Sequence, residues 1–146
     1  MPMHTTEDML KAEDRTHTFA VLLTEYLKEA FSYKRPAVTL GISPCTVCAK
    51  TAKYDLYFRV TPPSALDWES NTLVVSRIGF TQKRRGYGKD LMQFLTGVAP
   101  SLPYTHICIE QANLDAKAFG TKLGFTRLGE SNNMLASVEE VLKHLR

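Results

Sequence analysis

The sequence predicts a mixed α/β (α+β) fold, and three observations carry that expectation. Residues 71–80 are rich in β-branched side chains and lead through a short basic loop into an amphipathic segment, the pattern of a strand passing into a helix. Residues 105–110 then alternate apolar and polar like a second strand, so strand, helix and strand imply a parallel pair joined by a right-handed crossover. Helical stripes of apolar residues lie near both ends of the chain, from Thr16 to Ala30 and from Val138 to Leu145.

Taken in order, residues 1–14 read as a loosely held lead-in. Phe19, Leu22, Leu23, Tyr26, Leu27 and Ala30 step by three and four, which predicts a helix with one face on the core, ended by Pro36. Residues 37–42 and 53–60 read as strands, joined through Ser43-Pro44 and a turn that carries Cys45 and Cys48. After the basic loop, Tyr87, Leu91, Leu95 and Val98 mark the inner face of a helix that stops before Pro100. In the next strand Ile107 and Ile109 face one way, and His106, Cys108 and Glu110 the other. Asn113 caps a short helix through Lys122, residues 124–128 give a last strand, and the capping-box pattern at 137–140 opens a terminal helix. No repeat or linker divides the chain, so a single domain over residues 1–146 is expected.

Composition sets the broad class. A chain of 146 residues with 44% hydrophobic and 23% charged residues can bury one core without disulfides. The net charge of +3 is small; the local clustering of Lys83, Arg84, Arg85 and Lys89 is the informative feature. No apolar run reaches membrane-spanning length and the first residues are polar, so the default expectation is a cytoplasmic protein with no membrane partner. Three cysteines suit a reducing compartment. Cys45 and Cys48 have the spacing of half a zinc site, but no second pair follows and the four histidines are scattered, so no metal is expected.

The basic loop, residues 82–89, joins a strand end to a helix start with glycines at 86 and 88. Backbone N–H groups and the positive helix end then converge on one place, which makes an anion site, and a pyrophosphate is its natural guest. Neither a Walker loop nor a dinucleotide fingerprint fits, because Gly88 is followed by Lys89, Asp90 and Leu91.

Two stretches together resemble the GNAT superfamily of N-acetyltransferases. One is the strand followed by Lys83-Arg84-Arg85-Gly86-Tyr87-Gly88, close to the family's Arg/Gln-x-x-Gly-x-Gly/Ala. The other begins at Asn113, with Ala116, Phe119, Lys122, Gly124 and Phe125 at the spacing of Asn-x-x-Ala-x-x-Phe-Tyr-x-Lys-x-Gly-Phe. The resemblance covers roughly Thr72 to Leu128 and implies a GNAT-like mixed central sheet with helices on both faces. It implies acetyl-coenzyme A as co-substrate, and transfer of its acetyl group to a primary amine by direct attack in a ternary complex.

The same resemblance assigns roles. Backbone groups near Ile78 and Phe80 would bond the pantetheine arm as an added strand does. Lys83, Arg84, Arg85, Gly86, Tyr87, Gly88 and Lys89 would hold the pyrophosphate, Asn113 would contact the pantetheine, and Phe119 would line the coenzyme. A backbone N–H near Ile78 would support the oxyanion. Glu110 is the candidate for taking a proton from the amine, with His106 and Glu69 as lesser candidates. For Glu110 a solvent-facing or salt-bridged carboxylate is the competing assignment. Gly120 stands where the family places the tyrosine that protonates the leaving thiolate.

The ends depart from the family, which opens with a strand, places two helices next and closes on a two-strand hairpin. Here the N-terminal part is shortened and the end reads helical, so an open acceptor groove is expected, suited to a macromolecular amine or to completion by a second copy as a homodimer; the resemblance itself leaves the amine acceptor open between a small molecule and a protein. Nucleic acid is not an expected partner, because few further basic or aromatic residues accompany the loop. The alternative is a non-catalytic acyl-coenzyme A-binding or protein-interaction module of the same fold.

Overall fold

The computed structural model describes residues 6–60, 71–82 and 85–145. Lys83, Arg84 and Glu69 lie outside the described residues. Helix α1 (Thr6–Phe31) leads into strands β1 (Val38–Leu40), β2 (Thr46–Lys50), β3 (Tyr54–Val60) and β4 (Thr72–Phe80). Helix α2 (Tyr87–Val98), β5 (His106–Ile109), α3 (Leu114–Lys122), β6 (Thr126–Arg127), β7 (Met134–Ser137) and α4 (Val138–Leu145) follow. The described strands form one seven-stranded sheet in the order β1-β2-β3-β4-β5-β7-β6. Among them only the β4–β5 pair is parallel, as the strand–helix–strand pattern implies.

Side chains alternate faces, so the register sorts the sheet into two sides. Phe58, Val75, Ile109 and Met134 are successive partners across β3, β4, β5 and β7 and all are buried in the core cluster. Every described helix packs on that side. Phe19 of α1 meets Phe58 edge to face at 5.0 Å, and Tyr26 of α1 stacks on Phe94 of α2 at 4.4 Å. Gly120 of α3 lies against Ile109 and Met134, and α4 packs on α2 with Val141 fully buried. Helices on both faces were expected; the described helices cover one. The cause is topological, because the crossovers through α2 and α3 step the same way along the sheet and share one hand. The other face carries Asp55, Tyr57 and Arg59 of β3, Cys108 of β5 and Glu110 just beyond it.

Four local expectations also change. Helix α1 starts at Thr6, so residues 6–14 are no lead-in. Tertiary contacts order that polar stretch: Ala12 and Thr16 are buried, and Arg15 donates to Asn71 Oδ1 at 2.6 Å. Cys48 lies in a strand, with only Cys45 at the turn, where its φ is 61°. Strand β6 is shorter than residues 124–128. Strand β7 was not expected at all, and with β6 it supplies the two-strand pair that the end was read as lacking.

Helix α3 ends in a Schellman turn. Phe125 N–H donates to Gly120 O at 3.0 Å and Gly124 N–H to Thr121 O at 3.2 Å, with Gly124 at φ 87°. A Cβ at Gly124 would come within 2.8 Å of His144 Nδ1 in α4. Gly124→Ala therefore combines left-handed strain with displacement of that ring and lowers stability by about 1–2 kcal/mol. Thermal denaturation checks this, and an unchanged midpoint contradicts it.

Candidate active site

Strands β4 and β5 part company at their C-terminal ends. Their register runs from Thr72↔His106 to Val75↔Ile109, and Glu110 N–H still donates to Val75 O at 3.0 Å. At Gln111 the chain turns away with φ 49°, its N–H held by Asn133 Oδ1 at 2.9 Å. Residues 76–80 of β4 are thus left without a strand partner on the β5 side among the described residues. Ile78 and Phe80 sit on this stretch, with side chains packed against the core, so what they present to a ligand is backbone.

Beyond Phe80 the chain reaches the start of α2. Gly86 is its N-cap, at φ 78° and ψ 10°, and no side chain caps the helix. Asp90 N–H donates to Gly86 O at 2.9 Å, which makes the N–H groups of Tyr87, Gly88 and Lys89 the first-turn donors of the helix. Arg85 and Lys89 are exposed at this end. Tyr87 turns inward, its ring 4.8 Å from Phe31 and 5.5 Å from Phe80, so only its backbone is available. Asp90, whose negative charge would repel an anion, accepts from the Tyr26 hydroxyl at 2.6 Å; burial, and then that carboxylate, push the phenol well above its ordinary pKa.

The two sequence motifs meet in space. A Cβ built on Gly88 would lie 3.0 Å from Cε1 of Phe119, so the glycine lets the α3 ring close against the first turn of α2. Asn113 caps α3, its Oδ1 accepting from Ala116 N–H at 2.8 Å. Both helix N-termini therefore flank the gap between β4 and β5.

Glu110 stands at the mouth of that gap, on the sheet face without described helices. Ser76 Oγ donates to its Oε1 at 2.9 Å, and the Arg59 guanidinium pairs with Oε2. The competing assignment of Glu110 as a salt-bridged carboxylate is thus part of its geometry. Next to this knot Arg77 bonds Asp55 at 3.1 Å and lies over the Tyr57 ring. Ser76 is skipped by the β3–β4 register, which passes from Phe58↔Val75 to Tyr57↔Arg77, so it is the extra residue of a β-bulge. Cys108 is buried near Glu110, and burial, then the Glu110 charge, push its thiol up to about 12, against an opposing pull from Arg59. At neutral pH it stays protonated and is a poor nucleophile.

His106 belongs elsewhere. It opens β5 opposite Thr72 and Ser137, four residues and about 13 Å along the strand from Glu110. Gly120 points into the core, where a Cβ would lie 3.1 Å from Met134 Sδ and 3.4 Å from Ile109 Cδ1. Met134 of β7 fills the space a tyrosine there would enter. Gly120→Tyr is expected to cost about 1–3 kcal/mol by overpacking; an unchanged denaturation midpoint contradicts this. A groove of about 500 Å³ between α1 and α2, walled by Leu22, Tyr26 and Phe94, holds none of the candidate residues. No group of three or more metal-ligating side chains occurs, and no helix is long and apolar enough to cross a membrane, among the described residues.

Sequence reasoning missed Arg59 and Ser76. Arg59 shares the outer face of β3 with Asp55 and Tyr57, which alternation alone indicates, but its partner is 51 residues away.

No protein-family model matches the chain, and no curated protein sequence does. Among solved structures, it is similar to the AtaT–AtaR complex bound to DNA, with 13% identity over 67% of this chain and 70% of that one, at a TM-score of 0.48. It is also similar to AtaTR bound with acetyl-coenzyme A, with 15% identity over 66% of this chain and 68% of that one, at a TM-score of 0.47. A third is the KacTA–DNA complex, with 19% identity over 87% of this chain and 83% of that one, at a TM-score of 0.45. Likeness this distant carries no activity across to this chain.

Proposed function

We propose that this chain is a single-domain, acetyl-coenzyme A-dependent N-acetyltransferase of GNAT type. The observation that carries the reading is the close approach of Gly88 and Phe119 beside the end of β4 that lacks a β5 partner among the described residues, which joins both motifs at one gap. The pyrophosphate meets the N–H groups of Tyr87, Gly88 and Lys89, with Arg85 and Lys89 supplying charge, and Lys83 and Arg84 assigned to the same loop. The pantetheine runs along Ile78 and Phe80 as an added strand, bordered by Phe119 and Asn113.

The amine attacks the thioester carbonyl directly, and a backbone N–H near Ile78 supports the oxyanion. Buried, protonated Cys108 offers no covalent relay, which favours the ternary complex. Glu110 receives the proton of the ammonium. The coenzyme A thiolate departs without a phenol at position 120, which is tolerable for a group whose pKa is about 8.5. The acceptor enters from the sheet face without described helices, which suits an amine on a small molecule or a protein, or completion of the groove by a second copy.

A second reading, a non-catalytic acyl-coenzyme A-binding or interaction module, is favoured by Met134 filling the place of the family's tyrosine. Thermal shifts with coenzyme A, acetyl-coenzyme A and an oligonucleotide, followed by thiol release over an amine panel, separate the readings. Stabilisation by both coenzymes with thiol release on at least one amine supports the enzyme. Stabilisation without turnover on any amine supports the module, and no stabilisation by either coenzyme overturns both.

A further inference from the structure

We propose that Ser76 is a catalytic residue that relays the proton of the acceptor amine to Glu110, with Arg59 as the positioning residue that holds the carboxylate in place. This rests on the acetyltransferase reading and names how its site handles the proton.

Three features meet at Ser76. It is the bulge residue of β4, skipped by the β3 register, and the first residue past the last β5 partner. It therefore stands on the β4 edge that the pantetheine is proposed to join, two residues before Ile78, whose N–H is assigned to the thioester carbonyl. Its hydroxyl donates to Glu110 Oε1 at 2.9 Å, across 34 residues of sequence. A serine hydroxyl has one hydrogen and two lone pairs, and here the hydrogen is already committed to the carboxylate. Towards the gap Oγ can only accept, so it welcomes an N–H donor and offers nothing to an acceptor.

Arg59 explains why the relay is needed. Its guanidinium engages Oε2, and the carboxylate is thereby pinned between β3 and β4 with one oxygen bound to each strand. An ammonium over the β4 edge meets Ser76 first. The step balances without any further reactant: an N–H proton of the ammonium passes to Ser76 Oγ while the Ser76 hydrogen passes to Glu110 Oε1. The nitrogen keeps the electron pair of the broken N–H bond, the serine is unchanged, and Glu110 becomes a neutral acid. The charged and titratable groups around Glu110 among the described residues are Arg59 from β3, Cys108 from its own strand, and the Arg77–Asp55 pair on the flank.

The test compares Ser76→Ala and Ser76→Thr with the wild type in steady-state thiol release on an amine the wild type uses, with coenzyme A affinity measured by calorimetry. Ser76→Ala is expected to lose about 10²-fold in kcat, the scale of one proton-transfer step, with coenzyme A affinity held within about twofold. Ser76→Thr restores the hydroxyl and recovers kcat to within about tenfold of the wild type. Wild-type kcat in Ser76→Ala overturns the relay and leaves the acetyltransferase reading standing. Equal losses in the two variants, or a loss that follows weakened coenzyme binding, assign Ser76 a structural role and also overturn it. A wild type that turns over no amine overturns the reading beneath it, and the relay with it.

Discussion

Replacing Gly86 by Glu is expected to abolish the coenzyme A binding proposed for this loop. A carboxylate is placed at the N-cap of α2, where the phosphate oxygens are expected, and a Cβ there meets nothing within 4 Å, so the substitution does not fail for lack of room. Two like unit charges about 4 Å apart cost roughly 4 kcal/mol near a protein surface, or about three orders of magnitude in Kd. The left-handed φ of 78° adds strain for any residue with a Cβ. Gly86→Asn separates the two effects, because asparagine tolerates that backbone region and carries no charge. Calorimetry should find the Gly86→Asn variant within about tenfold of wild-type affinity and no measurable heat for Gly86→Glu. Normal binding by Gly86→Glu would place the anion site elsewhere.

Glu110→Gln is expected to slow acetyl transfer by about 10²–10⁴-fold while coenzyme A affinity stays near that of the wild type. Glutamine keeps the shape of the side chain but accepts no proton from the relay, and it removes the negative charge that pairs with the Arg59 guanidinium. That second effect is modest for stability, because the Arg59 and Glu110 side chains are 37% and 22% exposed and solvent screens the pair. Rate and stability are therefore expected to separate. A Glu110→Gln variant with full turnover removes Glu110 from the chemistry; one that fails to fold assigns the pair a structural part larger than its exposure allows.

The contrast between the loop and this charge knot shows what the sequence made legible. The loop and α2 are local features: a β-branched strand, two glycines and a helical stripe are contiguous, and each follows from backbone and periodicity rules. Asn113 was legible for the same reason, since its cap is set by neighbours within a few residues; Gly124, expected to open a strand, instead ends α3 in a left-handed turn. Strand β7 was not. Met-Leu-Ala-Ser carries little strand propensity, and those residues are extended because β5 pairs with them from one side and β6 from the other. The first turns of α1 were missed in the same way, because a polar stretch is ordered by burial of Ala12 and Thr16 and by the Arg15 bond to Asn71.

The knot of Arg59, Ser76 and Glu110 depends on three strands and a bulge, so it needs the register that only the folded sheet supplies. The same register corrected the helix arrangement. Strand–helix–strand order gave the hand of the β4–α2–β5 crossover, but whether α1 joined the other helices or covered the opposite face depended on where Phe19 and Phe31 packed.

The site is tested most directly by amide chemical shifts of the isotope-labelled chain titrated with coenzyme A. Saturable shifts should concentrate in residues 76–80 and 82–89 and in the first turn of α3 at Asn113, with β1 and the far end of β5 at His106 unmoved. Shifts gathered at the groove between α1 and α2, or none at saturating coenzyme, would contradict a coenzyme site between β4 and β5.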